Sequence, residues 1–297
     1  TIRWSEVSIN SYLNRLLTPS RSKDYVLAID TDSLYVCLDD LVQATNPNNP
    51  IDFLDTVCSD KLEPVLEKSY DRLYTILGGI ENKMVMKREA IADVGIWTAK
   101  KRYILNVFDN EGVRYATPKL KIMGIEAIKS STPGPCREAL KAIFKVIVTG
   151  NEAKVQESIS QFKTYFRSLP PEEIAFPRGI TKISAFKDSE LIYKKGTPIH
   201  VRGGLLYNKE LQDKSLQQKY ERIQNGEKIK FIYLRIPNPI KENVISFPAY
   251  LPEEFGLHKY INHELQFQKT FLDAIDPILD AIGWNSKEIS TLDEFFG

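Results

Sequence analysis

Residues 25–36, Tyr-Val-Leu-Ala-Ile-Asp-Thr-Asp-Ser-Leu-Tyr-Val, constrain this chain more than any other stretch. Apolar residues run to Ile29, two carboxylates follow at Asp30 and Asp32, and Leu34 to Cys37 resume the apolar run. That pattern is strand, tight polar turn, strand. Asp suits such a turn because its side chain accepts hydrogen bonds from nearby backbone N–H groups. The chain must therefore pair at least two antiparallel strands with two carboxylates at their tip. A carboxylate pair braced by apolar strands is also a rigid place to hold a divalent cation near a phosphate.

Around this hairpin the periodicities alternate. Residues 2–17 carry Ile2, Trp4, Val7, Ile9, Leu13 and Leu16 at helical spacing, and Thr18-Pro19-Ser20 ends that helix. The chain opens at Thr1 directly on this pattern, with no capping signal ahead of it, which predicts further sequence upstream. Residues 52–77 read as helix closed by Gly78-Gly79, and Met84-Val85-Met86 as a short strand. Residues 102–122 form the clearest hairpin: Tyr103–Phe108 is rich in β-formers, and Asp109-Asn110-Glu111-Gly112 is turn chemistry. Helices are expected after Pro133 as far as Gly150, over 151–168, and over 260–282 with an interruption at Pro277. Residues 172–250 read as irregular with short apolar runs. The composition shift near residue 128 divides an α+β piece, 1–127, from a mainly helical one, 128–297.

Composition excludes some classes. No apolar run approaches 18 residues, so no membrane span is expected, and no secretory signal pattern is visible. Three scattered cysteines suit a reducing compartment and form neither a disulfide frame nor a zinc site. Net charge is only +1, yet it is unevenly spread. Residues 97–145 hold ten Lys or Arg against four acids, whereas residues 250–297 hold nine acids against three bases. A phosphate-facing middle and a differently employed tail would give this asymmetry, as would an uneven solvated surface.

Five blocks carry chemistry. Asp30-Thr31-Asp32-Ser33-Leu34-Tyr35-Val36 resembles the palm motif of family B DNA polymerases, Tyr-Gly-Asp-Thr-Asp-Ser followed by an apolar residue, Tyr and Val. Lys100-Lys101-Arg102-Tyr103 matches the Lys-x-Tyr motif of the same family at Lys101 and Tyr103. Pro118-Lys119-Leu120-Lys121-Ile122-Met123-Gly124-Ile125-Glu126, continuing to Lys129-Ser130-Ser131-Thr132-Pro133, resembles the passage from palm to thumb in polymerases of T-even-type phages. His200-Val201-Arg202-Gly203 resembles the thumb motif His-Ile-Arg-Gly, and the ending Leu292-Asp293-Glu294-Phe295-Phe296-Gly297 is similar to the phage C-termini.

The resemblance implies an α+β fold: a partial polymerase palm, with an antiparallel sheet and helices, followed by a mainly helical thumb. It implies template-directed deoxynucleotidyl transfer to a primer 3′ end by two Mg2+ ions about 3.5–4 Å apart. Asp32 is then a metal ligand, with Asp30 beside it in a lesser role. Primer–template DNA and dNTP are the implied substrates. Lys100, Lys101, Arg102, Lys119, Lys121, Lys129 and Arg202 are candidates for phosphate contact, and Tyr103 for packing on sugar or base. Leu292, Phe295 and Phe296 are candidates for docking on a sliding clamp. The implied location is the cytoplasm of the infected bacterial host.

Three further expectations concern what the pattern lacks. The family draws another aspartate from an upstream palm strand, and no counterpart is legible here. The fingers helix and the exonuclease acids are likewise missing, so an N-terminal polymerase fragment is an expected partner. Where relatives carry Gly, this chain has Ile29. A left-handed backbone there would reshape the turn, while an extended one accommodates Ile without cost. The competing class is a non-catalytic module that binds duplex DNA and tethers it to the clamp. A nucleotide-sugar glycosyltransferase, which also carries Asp-x-Asp, accounts for the first block alone.

Overall fold

The computed structural model describes residues 1–125 and 130–287. The fold is α+β, in two compact units, Thr1–Gly124 and Ile125–Gly297. Among the described residues no helix is long and apolar enough to cross a membrane.

In the first unit, α1 (Ile2–Leu17) leads to the hairpin β1 (Val26–Asp30) and β2 (Ser33–Val36). Then come α2 (Asp39–Thr45) and α3 (Pro50–Val57), a π turn over Cys58–Leu62, and α4 (Glu63–Ile76). The predicted helix over 52–77 is thus helical throughout, with a wider turn inside it. Asn49 starts it by accepting from the backbone N–H groups of Ile51 and Asp52, with Pro50 at the first helical position, where its missing N–H costs nothing. α1 and α4 bury Ile9, Leu13, Leu62, Leu66 and Tyr70 together with Tyr25 and Val26 of the hairpin. Ser5 donates to the Tyr70 hydroxyl at 2.9 Å inside this core, and the Trp4 ring N–H to the Ser69 carbonyl at 3.0 Å.

Met84 and Met86 do not form the predicted strand. Their alternation is real, because both side chains pack on the α1/α4 core, but among the described residues they pair with no strand. The predicted two-stranded hairpin is instead a three-stranded antiparallel sheet, β3 (Ala90–Ala99), β4 (Arg102–Asn110) and β5 (Val113–Met123), in that order. Sequence reading misses β3 because Ala90, Ala92 and Gly95 are weak strand formers held in place by pairing with β4.

The second unit begins with α5 (Gly134–Thr149) and α6 (Glu152–Ser168), as expected from Pro133 and Gly150, and the Asn151 side chain caps α6 by accepting from the Lys154 N–H at 3.0 Å. Short α7 (Pro171–Ile174), β6 (Phe176–Gly179) and α8 (Ile183–Phe186) follow. Next come α9 (Ile199–Asp213), β7 (Lys228–Tyr233) and β8 (Val244–Phe247), and the sheet order is β6-β7-β8. After α10 (His263–Phe267) and a π turn over Gln268–Leu272, α11 (Asp273–Ala281) runs through Pro277. The irregularity expected at Pro277 therefore lies earlier, over Gln268–Leu272, and burial of Ile275, Ile278 and Leu279 holds the helix despite the missing N–H.

The stretch read as irregular thus holds a 15-residue helix and a whole three-stranded sheet. The reason is Gly203-Gly204, which lowers helix propensity in mid-helix. Both glycines are buried. A Cβ at Gly203 would lie 2.4 Å from the Ser246 hydroxyl oxygen and 2.8 Å from its backbone N, so α9 rests directly on β8 only because that side chain is absent. The His200–Gly203 block is in this respect a packing motif.

Glu264 of α10 binds Lys163 at 2.7 Å and also Arg167, both on α6. Arg167 first, then Lys163, holds its carboxyl down to about 2. A depressed carboxyl stabilises the fold above its ordinary value near 4.5 and loses that contribution as pH falls toward 2. The cluster is exposed, so the contribution is below about 1 kcal/mol. Glu264→Gln should therefore lower stability slightly at neutral pH and lose less than the parent between pH 5 and 2, read from urea melts across that range.

Candidate active site

The carboxylate turn is tighter than its sequence suggests. Asp30 pairs with Ser33, leaving a two-residue loop of Thr31 and Asp32. The Asp32 N–H donates to the Asp30 carbonyl at 2.6 Å, closing a three-residue turn about Thr31, whose φ is +56°. A β-branched residue in the left-handed region costs about 1–3 kcal/mol and persists only where its surroundings enforce it, commonly at functional sites. Ile29, by contrast, is ordinary extended strand opposite Leu34 and packs on the α1/α4 core. The left-handed residue is two positions later, so Ile29 fits without cost.

The two carboxylates differ in surroundings. Asp30 accepts from the Thr31 hydroxyl at 3.1 Å and pairs with the Lys101 ammonium at 3.2 Å. Asp32 is exposed; the Ser33 hydroxyl is 3.5 Å from it, and among the described residues no cation pairs with it. Also among the described residues, no three His, Cys, Asp or Glu side chains converge as a metal-holding group.

Lys101 comes from the neighbouring sheet. Ala99 pairs with Arg102, so Lys100 and Lys101 are the two-residue turn between β3 and β4, and Lys101 has φ +63°. Gly124, at φ +66°, closes on this turn: a Cβ there would lie 2.0 Å from the Lys101 carbonyl oxygen. The glycine of the Pro118–Glu126 block is therefore required by contact with the Lys100–Lys101 turn. Lys100 and Arg102 are exposed.

Tyr103 departs from the expectation that its ring meets sugar or base. It is 5% exposed and lies in a core with Leu105, Val107, Tyr35 and Trp97. A ring enclosed in this way offers no face for stacking. Its hydroxyl lies 2.8 Å from that of Tyr35, and the rings are 5.2 Å apart. Burial, and then this hydrogen bond, push the Tyr35 hydroxyl upward, so it stays protonated. Tyr35 is three residues past Asp32 and Tyr103 two past Lys101, so this contact fastens one turn to the other.

Lys119 and Lys121 stand opposite Val107 and Leu105 on β4, on one face of the sheet as their spacing predicts. Lys119 is exposed, with its ammonium 4.2 Å from the Tyr115 ring centroid. Lys121 is held by Glu89 at 2.5 Å. In the second unit Arg202 is half-buried on α9, bonded to Asn243 and lying over the Tyr193 ring at 5.6 Å. These contacts tie α9 to the residue just before β8 and to the Tyr193 loop. Burial, then the nearby Arg178 charge, lowers the pKa of His200, favouring its neutral form. Lys129, Leu292, Phe295 and Phe296 lie outside the described residues.

Sequence reading missed an ionic cluster in the first unit. Asp109, fully buried, binds Arg88 and, at 3.2 Å, Arg114, and accepts from the Gly112 N–H at 3.0 Å. Arg88 also reaches Asp55 at 2.6 Å, and Arg114 reaches Asp52 at 3.0 Å. Asp109 looked like plain turn chemistry, and only the register that brings Arg114 opposite it reveals the pairing. A cleft of about 550 Å³ opens beside Arg88, lined by Asp55, Glu63, Lys87 and Glu111 among others and by none of the candidate site residues.

Comparison with known proteins bears on what this arrangement serves. No protein-family model matches the chain. The DNA-directed DNA polymerase of Enterobacteria phage T4 is 32% identical over 314 aligned positions, which cover 100% of this chain. That of Escherichia phage RB69 is 31% identical over 99% of the chain. The chain is similar along its whole length to part of these phage DNA polymerases. The resemblance read from the five blocks therefore holds across the intervening sequence too. The chain spans about a third of the length of these relatives, 34% of each, and the matched part is their C-terminal third.

Proposed function

We propose that this chain is the distal palm and thumb of a family B replicative DNA polymerase, with the palm within 1–127 and the thumb within 128–297. In this reading it takes part in template-directed deoxynucleotidyl transfer to a primer 3′ end in the infected host cell. The observation that carries the reading is similarity to two phage DNA-directed DNA polymerases over the full chain. The site agrees with it. Two hard oxygen donors on a strained, braced turn suit Mg2+, and the Lys100–Lys101 turn is ion-paired to one of them.

Asp32, and Asp30 in a lesser role, would hold Mg2+, which when bound neutralises triphosphate charge and activates the primer hydroxyl. Two carboxylates are an incomplete set for two ions, so an N-terminal polymerase part supplies the remaining ligand, the fingers and the exonuclease. Lys100, Lys101, Arg102 and Lys119 face phosphates in a sequence-independent way, joined by Lys121 once it leaves Glu89. Arg202 and Lys129 extend the grip, and Leu292, Phe295 and Phe296 dock on the sliding clamp.

A second reading is a non-catalytic module that holds duplex DNA for the clamp. One observation favours it: Asp30 is engaged by Lys101 and no third acid joins the pair among the described residues. Primer extension with Mg2+ separates the readings, using the chain alone and mixed with an N-terminal polymerase fragment. Extension only in the mixture is expected. Robust extension by the chain alone refutes the need for a partner. A silent mixture that still binds duplex DNA supports the second reading.

A further inference from the structure

The Lys101–Asp30 pair joins two groups to which different ligands have just been assigned. Resting on the metal-site reading above, we infer that Lys101 is a built-in counter-ion of the carboxylate turn: it occupies Asp30 while the site is free of cation, is displaced when a divalent cation arrives, and becomes available to duplex DNA only then. Cation binding and DNA grip are thereby coupled through one side chain.

Four features carry this. The ammonium is 3.2 Å from Asp30, within direct ion-pair range. The pair is unequal in exposure: the lysine side chain is 62% exposed and the aspartate 27%. Lys101 can therefore swing into solvent without uncovering buried surface, whereas Asp30 stays put. A doubly charged cation on the same carboxylate outcompetes a single ammonium and repels it.

The geometry is also fixed from outside the pair. Lys101 sits at φ +63° on a two-residue turn that Gly124 presses against, so its backbone does not follow the side chain when the pair opens. The Tyr35–Tyr103 hydroxyl contact holds the two turns together. What moves is a flexible side chain between rigid anchors. Lys121, also a candidate for phosphate contact, is similarly held by Glu89, but that acid is not a candidate cation ligand, so cation arrival does not release it.

The test is Mn2+ binding to the full 297-residue chain, read from the EPR signal of free Mn2+. It is accompanied by the affinity for a primer–template hairpin with and without Mn2+, read by fluorescence anisotropy. Lys101→Met should bind Mn2+ about fivefold more tightly, the scale of removing one nearby exposed charge. It should also lose the gain in DNA affinity that Mn2+ gives the parent chain, while Lys101→Arg keeps it. Mn2+ affinity in Lys101→Met equal to or below that of the parent, with binding abolished by Asp32→Asn, overturns the counter-ion role and leaves the metal site standing. Mn2+ binding that stays absent from the parent and Lys101→Met when the N-terminal polymerase fragment is added, or that is unaffected by Asp32→Asn, overturns the metal site and this inference with it.

Discussion

Asp32→Asn should reduce primer extension by the assembled polymerase about 100- to 1000-fold while leaving its hold on duplex DNA nearly unchanged. The size follows from what the carboxylate does in the proposed reading. A metal ligand acts on charge that develops in the transition state, and its loss is worth several kcal/mol there. Asparagine keeps the shape, and the turn is closed by the main-chain bond from the residue 32 N–H to the Asp30 carbonyl, so the backbone about Thr31 has no reason to change. Affinity for DNA depends on phosphate neutralisation by Lys and Arg, which the substitution does not touch. Asp30→Asn is the informative companion. Because Asp30 already has Lys101 and the Thr31 hydroxyl as partners, whereas among the described residues no cation pairs with Asp32, its replacement should cost less. Equal losses at the two positions would mean that the asymmetry in the free chain does not survive assembly. Unchanged extension in Asp32→Asn would remove the catalytic reading and favour the DNA-holding module.

Much of the site was legible before any fold was known, because the feature concerned is local. Two carboxylates between apolar strands can lie only at a hairpin tip, and Lys100-Lys101 between two β-rich runs can lie only at a turn. What sequence cannot show is which turn meets which. The Asp30–Lys101 pair spans about seventy residues and depends on the pairing of Tyr35 with Tyr103. Tyr103 shows the opposite error: an aromatic beside cations reads as a nucleic-acid contact, but the alternation of β4 turns that side chain inward. The α9 helix was hidden for a third reason. Gly203 lowers local helix propensity so that tertiary packing on β8 can exist, and a pattern that counts only neighbours records the cost without the gain. The position of strain was displaced as well. The Gly-to-Ile difference drew attention to residue 29, yet the left-handed residue is Thr31, whose identity gives no such warning.

Arg88→Met should destabilise the first unit by about 3 kcal/mol, enough to lower its melting transition by roughly 10 °C. Asp109 is fully buried at the β4–β5 turn, and its carboxylate has been taken out of water at considerable cost. Arg88, only 12% exposed at its side chain, offsets that cost, and it ties the turn to Asp55 on α3 at 2.6 Å. Removing the guanidinium leaves a buried charge with one partner fewer. Arg114 still reaches Asp109 at 3.2 Å, which holds the loss to the lower end of what breaking a buried pair costs. Methionine fills similar volume, so the loss reports charge rather than a cavity. The double variant Arg88→Met/Asp109→Asn decides the point. The carboxamide oxygen still accepts from the Gly112 N–H, now 3.0 Å from the carboxylate, but carries no charge. Most of the lost stability should therefore return, as measured by thermal melts of the full chain. A double variant as unstable as Arg88→Met would show that Arg88 acts by packing between α3 and the sheet, and that the buried carboxylate of Asp109 tolerates its absence.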